Sequence, residues 1–255
     1  MQTRPRLVAL LLVVFLANLG ETWLETSSRT GSPISAADHN GAYAMQQFEP
    51  RFINFEFHDQ TAAWAMYAYS ISYFVLFPLL GLAVMLVLAR REEIAPFRVV
   101  CLAIAADYMI SLPLFLMFPV PERWAYPESH AILLSDQWSS SLINAIRPMS
   151  ALNNSFPSTH VSLTIIIIAV CWVFHVRLRS TVTALGLTVV LATFVLGIHW
   201  LADIIAGVTV GLLSVGIAWR WTDTTERPLL GLARAPVTRR AVRPANRLAN
   251  VVASR

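Results

Sequence analysis

Apolar residues in this chain gather into long unbroken runs. Six runs approach the roughly 20 residues needed to cross a hydrocarbon core as helix. They cover about 7–24, 62–89, 99–118, 160–176, 181–198 and 200–221. The second is long and carries Pro78, which predicts a tilt or a kink. The fourth and fifth are short and joined by Arg177-Leu178-Arg179-Ser180, the pattern of a helical hairpin. The predicted fold is therefore all-α, a polytopic bundle of six transmembrane helices over residues 1–221. Residues 222–255 are rich in Arg and Pro and poor in large apolar side chains. They predict a disordered cytoplasmic tail attracted to anionic headgroups. Arg4 and Arg6 ahead of Leu7 to Ala17 also fit a signal peptide, though no A-x-A-like site follows cleanly.

Composition supports a bilayer as solvent. Hydrophobic residues make up 56% of the 255 positions and charged residues 13%, against about 25% in soluble domains. Mean hydropathy is +0.58. The net charge of +4 forms no single patch that would suit a nucleic acid. All 19 basic residues are arginine. With the N-terminus inside, 15 of them fall on inner segments and four, Arg29, Arg51, Arg123 and Arg147, on outer ones. That bias predicts a multi-pass cell-membrane protein with both termini cytoplasmic. Two long outer loops follow, about 25–61 and 119–159. The first holds a mixed aromatic and polar stretch from Gln46 to Phe55, suited to the headgroup layer or to packing on the helices. Cys101 and Cys171 lie inside apolar runs and read as small buried side chains. No internal repeat and no glycine-rich nucleotide loop is present.

Two short motifs carry candidate chemistry, Phe156-Pro157-Ser158-Thr159-His160 and Gly197-Ile198-His199-Trp200-Leu201-Ala202-Asp203. Each stands at the same end of its run, so both face one side of the membrane. His199 and Asp203 have the spacing of one helical face, where a carboxylate accepts one imidazole N–H and frees the other nitrogen to attack. A chance pair or a polar helix end is the plain alternative. A carboxylate inside an apolar run is costly and usually partnered. Pro157 suits a first helical turn, and the N–H groups of Ser158, Thr159 and His160 would then point outward, where helix N-termini bind phosphate. Ser158 adds a hydroxyl, and His160 is placed to protonate a leaving oxygen. An ordinary N-cap beside an interfacial histidine is the alternative here.

Pro-Ser-x-His followed by His-x3-Asp, within six runs, resembles the type 2 phosphatidic acid phosphatase superfamily, over roughly residues 60–215. The resemblance implies a helical core, an active site at the outer membrane face, and no metal or other cofactor. It implies His199 as nucleophile, Asp203 as its orienting partner, His160 as acid, and Ser158 and Thr159 as phosphate-binding positions. Two family cations are absent. The first phosphatase motif needs a lysine seven residues before Arg147-Pro148, where Ser140 stands. The third motif needs Ser-Arg, where Ala192 and Thr193 stand. A transferring phosphoryl group needs positive neighbours, and Arg123 and Arg147 are the arginines left in the outer loop beside the motifs. Arg123, in Phe118-Pro119-Val120-Pro121-Glu122-Arg123, is similar to an element of the inositol phosphorylceramide synthase-like branch.

The expected function is that of a lipid phosphate phosphatase or phosphotransferase, acting on a lipid phosphate or polyprenyl (di)phosphate through a phosphohistidine. A non-catalytic lipid-binding membrane protein that retains the fold is the alternative. A transporter would show broken helices in matched halves, and none is visible. Asp107, in mid-span, suits a hydrogen bond within the bundle or a substrate pocket. Asn154, with Asn153 and Asp136, suits the pocket mouth. His39, His58, His130 and His175 lack partners at metal-ligand spacing and read as structural.

Overall fold

The computed structural model describes residues 4–28, 36–49, 63–134 and 152–222. Among these the chain is helical, with one isolated bridge between Val120 and Asn154. Helix α1 spans Arg4–Ser28 and α2 spans Ala36–Phe48. Helix α3, Ala63–Ile71, runs through a π-turn at Ser72–Leu76 into α4, Phe77–Ala89. Then follow α5 at Ala95–Met117, α6 at Thr159–Val173, α7 at Arg179–Val195 and α8 at Leu201–Trp221. Arg147, Asp136, His58 and the tail beyond Thr222 lie outside the described residues.

Helix stands at each of the six apolar runs. Four stretches are long and apolar enough to cross a membrane: Arg4–Glu25, Trp64–Ala89, Ala95–Met117 and Leu201–Trp221. Helices α6 and α7 are apolar but only 15 and 17 residues long. At ~1.5 Å per residue each falls short of a ~30 Å hydrocarbon core. Outward-facing Leu12, Val13, Leu79, Leu82, Leu212 and Leu213 are exposed, the arrangement expected of helices whose solvent is lipid.

One feature departs from the sequence reading, and another gives the irregularity expected at Pro78 its form. The first outer loop contains a helix, α2, too short and too polar to register as an apolar run. It buries Ala42 and Met45 against Val120, Tyr126 and Trp200. A Cβ on Gly41 would stand 2.3 Å from the Pro119 carbonyl oxygen, so glycine permits this close approach. The second feature concerns Pro78. The irregularity takes the form of a widened turn on its N-terminal side, where Phe77 N–H reaches back five residues to Ser72 O. A proline has no N–H to donate, and such turns are one of the standard ways a helix absorbs the defect.

Helix α5 is the most enclosed element. Val99, Val100, Cys101, Leu102 and Ala103 on it join Leu7 of α1 and Ile166, Val170 and Cys171 of α6 in the main core. Both cysteines are buried and free. Helix α8 reaches α6 through small residues. A Cβ on Gly207 would lie 2.6 Å from Ser158 O, and one on Gly211 would lie 2.6 Å from Ser162 O. Backbone contact of this kind is how helices associate where no hydrophobic force drives them together. Gly207→Val should therefore push α6 off α8 at the end that carries both motifs. Overpacking costs about 1–3 kcal/mol, so a lower thermal midpoint in detergent is expected. An unchanged midpoint would mean that the two helices tolerate a wider spacing.

Candidate active site

A strap of chain after α5 ties the two motif-bearing loops together. Val120 N–H donates to Asn153 O at 2.9 Å and Ser155 N–H to Val120 O at 3.0 Å. Three residues on, Arg123 N–H donates to Ile198 O at 2.9 Å and Trp124 N–H to Gly197 O at 3.0 Å. Gly197 has a positive φ of 73°, and a Cβ there would sit 2.6 Å from Ile132 O. Only glycine meets both demands without strain.

His199 lies in the turn before α8 rather than on the helix itself, a correction to the helical-face expectation. Trp200 is the N-cap, and Asp203, in the first turn, reaches back toward it. Asp203 is fully buried, and its Oδ2 accepts the Trp200 N–H at 2.9 Å. The same oxygen lies 3.3 Å from His199 Nδ1. Ser155 stands between the two: its Oγ donates to Asp203 Oδ2 at 2.6 Å and lies 3.0 Å from His199 Nδ1. His199 is 5% exposed, and among the described residues its Nε2 has no partner.

His160 is the second residue of α6 and is half-buried. Its ring stacks on Tyr73, 4.3 Å between centroids and 23° between planes, and leans on Phe77 at 4.6 Å. Tyr73 Oη lies 3.3 Å from His160 Nδ1. Tyr73 sits in the π-turn, so the irregular turn is what presents it. The rings of His160 and His199 are 6.0 Å apart, centroid to centroid. That is close enough for one phosphorus to stand between them.

Ser158 caps α6 and is fully buried, its Oγ accepting Val161 N–H at 3.4 Å. Its own N–H does not point outward as expected. It donates to Asp203 O at 3.2 Å, because the small Gly207 lets α8 lie against it. The first-turn N–H groups of Thr159 and His160 have no acceptor within the helix.

Arg123 is 6% exposed. Its guanidinium lies 5.4 Å from the ring centre of Phe194 and 5.9 Å from that of Trp200. Phe194 follows Thr193, the position at which a family arginine is missing, so another element brings a cation to the same neighbourhood. Arg123 also pairs with Glu49 at 3.5 Å, and Glu49 Oε1 accepts the Leu201 N–H at 2.6 Å. A carboxylate at the N-terminus of α8 suits the helix dipole. Burial raises the Glu49 carboxyl above its ordinary value, while the Leu201 N–H and Arg123 oppose that rise. Breaking a buried pair by removing one partner typically costs about 3–5 kcal/mol. Glu49→Ala should thus lower thermal stability markedly. A variant that melts like the parent would show that the pair contributes little to holding α2 in place.

Asp107 lies inside the bundle, buried on α5 and facing Ser162 of α6. Asn154 is half-buried, bridged to Val120 and paired with Glu21 of α1. His39 packs edge-on to Tyr126, and His130 and His175 occupy turns with φ of 55° and 48°. Ser155, Tyr73 and Glu49 were not singled out from the sequence. A serine in a loop, an aromatic in an apolar run and a glutamate in a loop carry no distinguishing signal. Among the described residues no group of three His, Cys, Asp or Glu side chains could hold a metal ion.

The family model described as the PAP2 superfamily matches residues 96–227. That stretch holds α5 to α8 and both histidine motifs. Neither curated proteins nor solved structures give a significant match.

Proposed function

The chain belongs to the PAP2 superfamily, and from that premise we propose that it transfers the phosphoryl group of a lipid phosphate or diphosphate through a phosphohistidine on His199. The observation that carries this is the unpartnered, buried Nε2 of His199 set 6.0 Å, ring to ring, from His160. In the first half-reaction the Nε2 lone pair attacks phosphorus and the P–O bond breaks. His160 gives its proton to the departing oxygen. For this step His160 is the imidazolium: Nδ1–H donates to Tyr73 Oη, the transferable proton resides on Nε2, and the ring left behind is neutral. In the second half-reaction an acceptor O–H loses its proton to His160, its oxygen attacks phosphorus, and the P–N bond returns its electron pair to His199. Water as acceptor makes a phosphatase, and an alcohol makes a phosphotransferase. The Thr159 and His160 amides, the Ser158 hydroxyl, Arg123 and Arg147 supply positive potential where charge develops. No metal is needed for any of these steps.

The presence of Thr193 rather than arginine, with Arg123 buried beside Phe194, favours the inositol phosphorylceramide synthase-like branch over phosphatases with the full set of motifs. In the proposed topology α6 and α7 are the fourth and fifth of six spans, entering a locally thinned bilayer. The arginine bias puts both termini in the cytoplasm and the site at the outer face. The test is purified protein with labelled lipid phosphates, polyprenyl diphosphates and an alcohol acceptor. Phosphate release, headgroup transfer and an acid-labile phosphoenzyme would be followed together. A protein that binds these lipids and forms neither product nor phosphoenzyme would be a lipid-binding relative of the enzymes instead.

A further inference from the structure

We infer that Ser155 is a positioning residue, relaying the charge of Asp203 to the nucleophilic histidine; the inference rests on the phosphohistidine reading above. The direct contact is weak: 3.3 Å separates His199 Nδ1 from Asp203 Oδ2, whereas charge-assisted N–H···O bonds run about 2.7–2.9 Å. The path through serine is shorter at both steps, 3.0 Å and 2.6 Å. A hydroxyl has one proton to give. An ionised carboxylate only accepts, so that proton goes to Asp203. Ser155 Oγ must then accept at its other contact, and the donor is Nδ1–H of His199. This fixes the tautomer with Nδ1 protonated and Nε2 bearing the lone pair, which agrees with the unpartnered Nε2. The Trp200 N–H at 2.9 Å and the Ser155 O–H at 2.6 Å occupy the two lone pairs of Asp203 Oδ2. Ser155 is itself fixed, 2% exposed and anchored by its own N–H on Val120 O. The strap after α5 therefore sets the orientation of the nucleophile.

The experiment is nitrogen NMR of the full chain labelled with ¹⁵N-histidine, in lipid nanodiscs, with His199 assigned by its absence in His199→Gln. In the parent protein the His199 signals should show Nδ1 protonated and Nε2 bare. In Ser155→Ala the ring should lose that preference and populate the Nε2–H tautomer, while Ser155→Thr, which keeps the hydroxyl, should retain it. In metal sites, removal of a group that orients an imidazole through its second nitrogen typically costs about 10–100-fold; phosphoenzyme formation in Ser155→Ala should slow by a factor of that order. An unchanged tautomer in Ser155→Ala would overturn the relay. The NMR readout needs no turnover, so it decides the role of Ser155 even if the parent protein forms no phosphoenzyme, a result that would count against the reaction alone.

Discussion

His199→Ala should abolish both turnover and phosphoenzyme labelling. A covalent nucleophile has no substitute in the site. In other hydrolases its removal costs on the order of 10⁶-fold, which leaves only what binding and charge stabilisation contribute. The variant should still fold. The main-chain bond from His199 N–H to Thr193 O at 3.1 Å survives the substitution, as does the Trp200 N-cap. Loss of labelling with an unchanged melting midpoint is the expected pair of results. Labelling that persists in His199→Ala would move the phosphoryl acceptor to another residue.

His160→Ala should show a different pattern. A general acid contributes about 10²–10⁴-fold, and its value depends on how badly the leaving group needs a proton. With a lipid alcohol as leaving group the loss should span that range. With a nitrophenyl phosphate, whose leaving oxygen is stable as an anion, the loss should be much smaller. Phosphoenzyme should also accumulate, because the same imidazole removes the proton from the acceptor in the second half-reaction. Equal losses on both substrates would argue that His160 binds phosphate without moving a proton. The removal would also leave Tyr73 and Phe77 facing a gap, since both pack on the His160 ring. Stability should therefore be measured beside activity.

The helical runs and the two histidine motifs were legible in the chain because their signals are local. Apolar length marks the helices, and His199, Asp203 and His160 sit in short motifs whose polar groups have no other business in a membrane. What stayed hidden depends on contacts between distant segments. Helix α2 stabilises itself by docking on Tyr126 and Trp200, not by its own apolarity. Ser155 becomes more than a loop residue only where the strap after α5 holds it against Asp203, 48 positions away in the chain. Ser158 was expected to offer its N–H to phosphate, and the close approach at Gly207 turned that donor inward instead. Glu49 shows the same limit, because its two partners, Arg123 and Leu201, lie in other segments of the chain.

The hydrogen bond from Ser158 N–H to Asp203 O has a wider meaning. It joins the two motif helices through main chain alone, with the spacing held by glycine and not by a particular side chain. The distance between the imidazoles is therefore insulated from most substitutions. Under the proposed function, the residues that would meet a lipid and the cations that would meet its phosphate can drift while the two rings keep their separation. A scaffold built this way can change what it acts on far more readily than it can change the reaction it performs.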